Sequence, residues 1–163
     1  MTAQPARAIV YCSIGIIAAL YVVGLVSQGI IRHIVQTAPQ WIVLALAARG
    51  SRWTKWAALP CAAVWLFLMA LIWLFVLGWA HVISGTFSPI EIVMTVVVGT
   101  CSIVIIAHAL RMRSATSVAS TAGMLLLSLV LQLVALRVSF LHGVDRDPWA
   151  PPRGRSAQQI EPR

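Results

Sequence analysis

Residues 56–83 read WAALPCAAVWLFLMALIWLFVLGWAHVI, a stretch without a single Asp, Glu, Lys or Arg. About 20 consecutive apolar residues are enough for one α-helix to cross a bilayer, and a core helix of a soluble domain needs fewer. The stretch is therefore predicted to be a transmembrane helix, and it sets the class of the whole chain.

Four more apolar segments surround this one in a chain of 163 residues, at positions 8–31, 34–48, 90–110 and 117–141. All except 34–48 reach the length of a membrane crossing. The connections between them are too short for a soluble catalytic domain. We therefore predict an all-α integral membrane protein with a single helical membrane domain over 1–141. Its architecture is a small helical bundle of four transmembrane helices plus one short interfacial or half-inserted helix.

The second segment leaves an alternative topology open. A helix over 39–48 alone spans about 15 Å, which is half of the hydrocarbon core. Extending this helix back to Gly29 supplies the length for five transmembrane helices, but it draws Arg32, His33 and two glutamines towards the membrane. Arg32 and His33 can snorkel at the membrane edge in that case. We favour four crossings because the start of the segment is polar, and we keep five as the alternative.

Composition supports the membrane assignment. Hydrophobic residues make up 60% of the chain and charged residues 10%, against about 25% charged residues in a typical soluble domain. The formal net charge of +8 does not indicate nucleic-acid binding, because the basic residues stand at the ends of apolar segments rather than in a cluster interleaved with aromatic residues. We interpret them as topology signals and as contacts to anionic lipid headgroups at the cytoplasmic face.

The basic links predict an orientation. Residues 49–55 carry three positive charges, residues 111–113 carry two, and neither link contains an acid. Cytoplasmic loops are enriched in Lys and Arg, whereas the link 81–91 contains neither. We therefore expect the third and fourth segments to form a hairpin with an external tip, and the polar tail 142–163 to be external and extended or disordered. Arg-rich and Ala-rich usage with a single lysine indicates a bacterial inner membrane protein.

Ser88, Pro89 and Glu91 are predicted to start a helix. A serine at the N-cap accepts a hydrogen bond from a backbone N–H, and a glutamate at the third helical position reaches back to the cap. Proline at the first position lacks the donor that would have no partner there. A rival interpretation makes Glu91 a proton or cation site at the membrane edge, but we favour the cap.

Histidines supply the candidates for cofactor binding. His81 and His142 both fall near the predicted external boundary, and haem ligation requires two imidazoles at one depth on facing helices. They form the candidate cofactor-binding pair, with haem b as the cofactor. Our preferred interpretation contains no cofactor and no metal, because interfacial histidines need no ligand to explain them. Cys12, Cys61 and Cys101 each lie inside an apolar segment and are interpreted as packing residues.

Gln132 and Arg137 are polar residues within the last apolar segment. A buried arginine would imply a functional partner, whereas a position towards the external end allows snorkelling, which we favour for Arg137. Together with Arg32 and His33, these two residues complete the candidate intramembrane polar residues.

Helical spacing also predicts faces that pack. Trp65, Met69 and Trp73 recur on one face of the third segment, which indicates packing on neighbouring helices or lipid in preference to a pigment, quinone or haem. Close helix contact is permitted by two pairs of small residues at four-residue spacing: Gly15 with Ala19, and Ala119 with Gly123.

No catalytic residue is predicted. The carboxylates are too few for a paired acid–base site in the membrane, and no nucleotide, protease or hydrolase motif is present. We therefore expect a non-enzymatic accessory, assembly or oligomer-forming subunit that packs against a larger membrane complex or against copies of itself. The alternative is a haem- or metal-binding protein, or a small transporter or channel subunit, that uses the external-side histidines.

Overall fold

The computed structural model describes residues 3–80, 87–113 and 116–141. Across these residues the chain forms five α-helices and no strand. The helices are α1 (Ala3–Val26), α2 (Ile30–Ala48), α3 (Thr54–Val76), α4 (Pro89–Arg111) and α5 (Val118–Ser139). The predicted all-α class is confirmed, and each apolar segment of the sequence corresponds to one helix.

Within the described residues, four helices are long and apolar enough to cross a membrane. They cover Ala6–Val26 of α1 and the whole of α3, α4 and α5, with 21 to 23 residues each. At 1.5 Å per residue these helices are about 32–35 Å long, which matches a hydrocarbon core of about 30 Å with a modest tilt. The protein is therefore a multi-pass helical membrane protein.

The helices form a closed ring in the order α1, α4, α3, α5, α2. Each helix of this series packs on the next, and α2 packs on α1. The largest interface joins α1 to α4, and α2 also touches α3 across the ring. Helices packed 8–10 Å apart in a ring of five leave a central space between them. The candidate site lies in this space.

α2 is longer than the sequence predicts. It begins at Ile30 instead of residue 34 and has 19 residues, with Pro39 inside the helix. It runs antiparallel to α1 along the length of that helix. Near the α1–α2 turn, a Cβ atom built on Gly24 would lie 3.0 Å from the Cα of Ile30, and at the far end Arg7 and Ala47 line one surface pocket. The helix is therefore longer than the apolar segment 34–48, and it packs along most of the length of α1.

The polar residues of α2 face the other helices. Gln36 Nε2 donates to Ser139 Oγ of α5 (3.0 Å), and Gln40 Nε2 donates to Ser13 Oγ of α1 (2.9 Å). His33 and Gln36 are 6% exposed, and Gln40 is fully buried. The prediction assumed that these groups would meet lipid, whereas their three- and four-residue spacing places them on one inward face. The helix therefore extends through them.

The predicted start of α4 is present. Pro89 is its first residue and Ser88 is its N-cap. The Glu91 backbone N–H donates to Ser88 Oγ (3.3 Å), and the Ser88 backbone N–H donates to Glu91 Oε2 (2.7 Å). Both halves of the capping box are formed, which satisfies two donors at the start of the helix.

The two basic links meet at one end of the bundle. Lys55 Nζ donates to the Met112 carbonyl oxygen (3.1 Å), and Trp56 Nε1 donates to Thr116 Oγ1 (3.1 Å). These bonds connect the first turn of α3 to the α4–α5 link, and we call this end of the bundle the basic end. The opposite end contains the α1–α2 turn and the start of α4, and we call it the Glu91 end.

Candidate functional site

A pocket of about 470 Å³ occupies the centre of the ring in the half towards the Glu91 end. Its volume falls within the range of about 300–1,000 Å³ that is typical of small-molecule sites. All five helices contribute to its wall. This central pocket is lined by Leu20, Val23, Ser27, Arg32, His33, Gln36, Trp65, Leu68, Met69, Ile72, Phe87, Glu91, Met94, Thr95, Val98, Leu136 and Phe140.

The inner part of the central pocket is apolar. Leu20, Trp65, Met69 and Val98 belong to its wall, and each is at most 6% exposed. Trp65, Met69 and Val98 come from the middle of α3 and α4. Trp65, Met69 and Trp73 are predicted to share one face of α3. Trp65 and Met69 line the pocket, whereas Trp73 lies outside its lining.

The hydrophilic side chains of the central pocket lie towards the Glu91 end. Arg32, His33 and Gln36 come from the first two turns of α2, and Glu91 and Thr95 come from the first two turns of α4. Because both helices start at the Glu91 end, the hydrophilic side chains of the pocket are concentrated at that end, beside the apolar side chains of Phe87 and Phe140, and the inner part is apolar. We call the end with the hydrophilic side chains the mouth of the pocket. The polarity of the pocket thus changes along the bundle axis.

His33 is held by its own helical turn. Its Nδ1 lies 3.0 Å from the Gly29 carbonyl oxygen, so Nδ1 carries the proton and Nε2 carries the lone pair. Arg32 and Glu91 both act electrostatically on His33. The guanidinium carbon of Arg32 lies 5.9 Å from the centroid of the Phe140 ring, which is a cation–π distance.

The structure brings together three residues that the sequence singled out. Arg32, His33 and Glu91 line the same pocket, so Glu91 both caps α4 and faces the site. Arg137 is exposed on α5 and lies outside the pocket lining. Gln132 is fully buried, and its amide has no hydrogen-bond partner among the described residues.

The candidate haem pair lies outside the described residues. His81 and His142 both fall in parts of the chain that the structure does not describe, so the haem site stays a prediction. Within 3–80, 87–113 and 116–141, no group of three or more His, Cys, Asp or Glu side chains could hold a metal ion.

Two cysteines meet across the largest helix interface. Cys12 of α1 and Cys101 of α4 are close enough to influence each other electrostatically. Cys61 belongs to the hydrophobic core, and the other two cysteines pack against it, in agreement with the predicted packing role. The pairing itself depends on which helices are neighbours, and this information is absent from sequence spacing.

Sequence reasoning missed Gln36, Met94 and Thr95 as pocket residues. A signal for Gln36 was available, because the polar residues at positions 33, 36, 37 and 40 recur with the spacing of one helix face. Met94 and Thr95 carried no such signal, since apolar residues are spread around the whole circumference of α4.

Comparison with known proteins provides no relative for this chain. No protein-family model, no curated protein and no solved structure matches it.

Proposed function

We propose that this chain is a non-enzymatic accessory subunit of the membrane that binds one amphipathic, lipid-like molecule in the central pocket. The observation that carries this proposal is the polarity of the pocket along the bundle axis, with hydrophilic side chains at its mouth and apolar side chains inside. A molecule with a polar head and a hydrocarbon body matches this order when its head lies at the Glu91 end.

The existing bonds of the polar side chains favour binding over catalysis. Glu91 caps α4, Gln36 donates to Ser139 of α5, and His33 donates to the Gly29 carbonyl oxygen. Side chains held in this way can orient a ligand. Catalysis, in contrast, requires a nucleophile beside a base, or a paired acid and base. A protein that holds a lipid for a larger assembly requires only side chains that orient the lipid.

α5 is the helix best placed to contact a partner. Only 11% of its most apolar window is buried within the bundle, compared with 39% for α1. Its inward face is limited to Ser128, Gln132, Ala135 and Ser139, so the outward surface is available to a helix of a larger membrane complex. Strictly monomeric behaviour in a mild detergent would contradict this part of the proposal.

Replacing Met94 by tryptophan is expected to remove the bound molecule. Met94 lines the central pocket, and an indole ring at this position fills space that the ligand needs. Val93→Trp is the matched control, because Val93 is the preceding residue of α4 and is 55% exposed. Native mass spectrometry of the purified proteins measures the lipid that remains bound. Equal retention by Met94→Trp and by the unchanged protein would contradict the proposed function.

We also propose five crossings, with the basic end in the cytoplasm. The antiparallel packing of α2 along α1 supports this proposal, although α2 is not among the four helices that are apolar enough by composition. The side enriched in Lys and Arg is cytoplasmic, which places the N-terminus inside and the tail after Leu141 outside, in a bacterial inner membrane. The basic end carries the cationic residues Arg7, Arg49, Arg52, Lys55, Arg111 and Arg113.

Cysteine labelling tests this topology. In a background without the native cysteines, a single cysteine replaces Thr2, Ser114 or Ser156. An impermeant maleimide should label Ser156→Cys in intact spheroplasts, and it should label Thr2→Cys and Ser114→Cys only after the membrane is permeabilised. Labelling of Thr2→Cys from the outside would instead support the topology with four crossings.

A further inference from the structure

We propose that the central pocket selects an amphiphile with a single hydrocarbon chain and a negatively charged head group, and that Arg32 holds this head group. The inference rests on the proposed function, because it assigns a chemical class to the ligand of the same pocket. Both carboxylate and phosphate heads belong to this class.

The inner part of the pocket suits one chain but does not provide selectivity. Its volume of about 470 Å³ is that of a site for a drug-sized ligand. Within a bilayer the surrounding lipid tails are as apolar as the pocket wall, so a chain gains little free energy by moving from lipid into the pocket. Preference for one amphiphile over another must therefore come from the head group.

The charges at the mouth favour an anion. Arg32 is permanently charged, and its planar guanidinium presents donors that match a carboxylate or phosphate. It lies in the first turn of α2, whose N-cap is Gly29, a residue without a side chain to accept from the first-turn N–H groups. The N-terminus of α2 therefore adds a partial positive charge at the same place.

Glu91 carries a formal charge equal and opposite to that of Arg32, but its carboxylate is committed to the cap of α4. Its carboxylate accepts a hydrogen bond from the Ser88 backbone N–H at 2.7 Å. It also lies in the first turn of α4, where the helix dipole stabilises a negative charge. The Phe140 ring lies 5.9 Å from the guanidinium carbon of Arg32, which keeps the arginine side chain at the mouth.

His33 lies beside Arg32 in the wall of the pocket. The ring is 6% exposed, and the bond from Nδ1 to the Gly29 carbonyl oxygen fixes its orientation. The ring carries its proton on Nδ1, so Nε2 presents a lone pair that accepts a hydrogen bond and does not donate one. Direct contacts to an anionic head group therefore come from Arg32.

Three lipids with the same single acyl chain test the head-group class. Lysophosphatidylglycerol is anionic, lysophosphatidylcholine is zwitterionic and a monoacylglycerol is neutral. The apparent Kd of the full chain for each lipid is measured by native mass spectrometry. We expect the anionic lipid to bind about tenfold more tightly than the neutral one, because charge-assisted hydrogen bonds contribute effects of that order.

Matched charge variants test the residues. Arg32→Gln should abolish the preference for the anionic lipid, whereas Arg32→Lys, which keeps the charge, should retain most of it. Glu91→Gln preserves the capping box and should keep or increase the preference. Arg137→Gln is the control, because Arg137 is exposed and lies outside the pocket lining. This variant should keep the preference for the anionic lipid unchanged.

The outcomes separate this inference from the proposed function. Equal affinity for all three lipids, with binding lost in Met94→Trp, would overturn the anionic head group and leave the proposed function standing. Binding that Met94→Trp leaves unchanged would overturn the proposed function itself. Loss of the preference in Arg137→Gln, with Arg32→Gln unaffected, would overturn the assignment of Arg32.

Discussion

Replacing Gly15 by leucine is expected to destabilise the bundle by about 1–3 kcal/mol, the usual range for overpacking. Gly15 lies at the α1–α4 interface, where a Cβ atom built on it would be 3.1 Å from the Sγ of Cys101. A leucine side chain extends beyond this Cβ atom, so we expect the two helices to separate along their largest interface. The free energy of unfolding, measured by titration with SDS and circular dichroism, provides the test.

Gly123→Leu is the matched control for this change. Nothing described lies within 4 Å of a Cβ atom built on Gly123, so its free energy of unfolding should stay within about 0.5 kcal/mol of the original value. Combining Gly15→Leu with Cys101→Ala should recover part of the loss. Equal stability of Gly15→Leu and the unchanged protein would mean that α1 and α4 do not approach as closely as the structure has them.

The two pairs of small residues illustrate what sequence spacing can predict. Gly15 and Ala19 share one face of α1, and that face is buried, with Ala19 only 4% exposed. Ala119 and Gly123 have the same spacing on α5, but both are exposed. Spacing identifies a face that a neighbour can approach closely. The order of helices in the ring decides whether a neighbour is there.

The fold class followed from the sequence because a bilayer imposes a length and a polarity on each helix that crosses it. The start of α4 also followed, since its capping box uses only residues adjacent in the chain. α2 did not follow, because average hydropathy counts His33, Gln36 and Gln40 without regard to the direction in which they face. These three side chains are buried and hydrogen-bonded inside the bundle, so they do not make the lipid-facing surface of α2 polar.

The candidate site could be predicted only in its parts. Arg32, His33 and Glu91 stood out as polar residues beside apolar segments, but α3 separates α2 from α4 along the chain. Their proximity depends on closure of the whole ring through α1 and α5. Periodicity within a single helix carries no information about that closure, so the sequence alone could not combine these residues into one pocket.

Replacing Gln132 by leucine is expected to stabilise the bundle by about 1–3 kcal/mol, the mutational cost of a buried amide without a partner. Gln132 is fully buried, and neither atom of its amide has a hydrogen-bond partner in the described part of the chain. Leucine is of similar size and has no polar atom to desolvate. Equilibrium unfolding in SDS measures the difference between the two proteins.

Gln36→Leu is the matched comparison for Gln132→Leu. Gln36 is also buried, but it donates to Ser139 of α5, and loss of a hydrogen bond between membrane helices costs about 0.6 kcal/mol on average. We therefore expect opposite signs at the two glutamines. A loss of stability in Gln132→Leu would mean that its amide is paired in the membrane. Because Gln132 lies one turn before Leu136, which lines the central pocket, the polar part of the ligand site would then extend deeper into the bundle than the mouth.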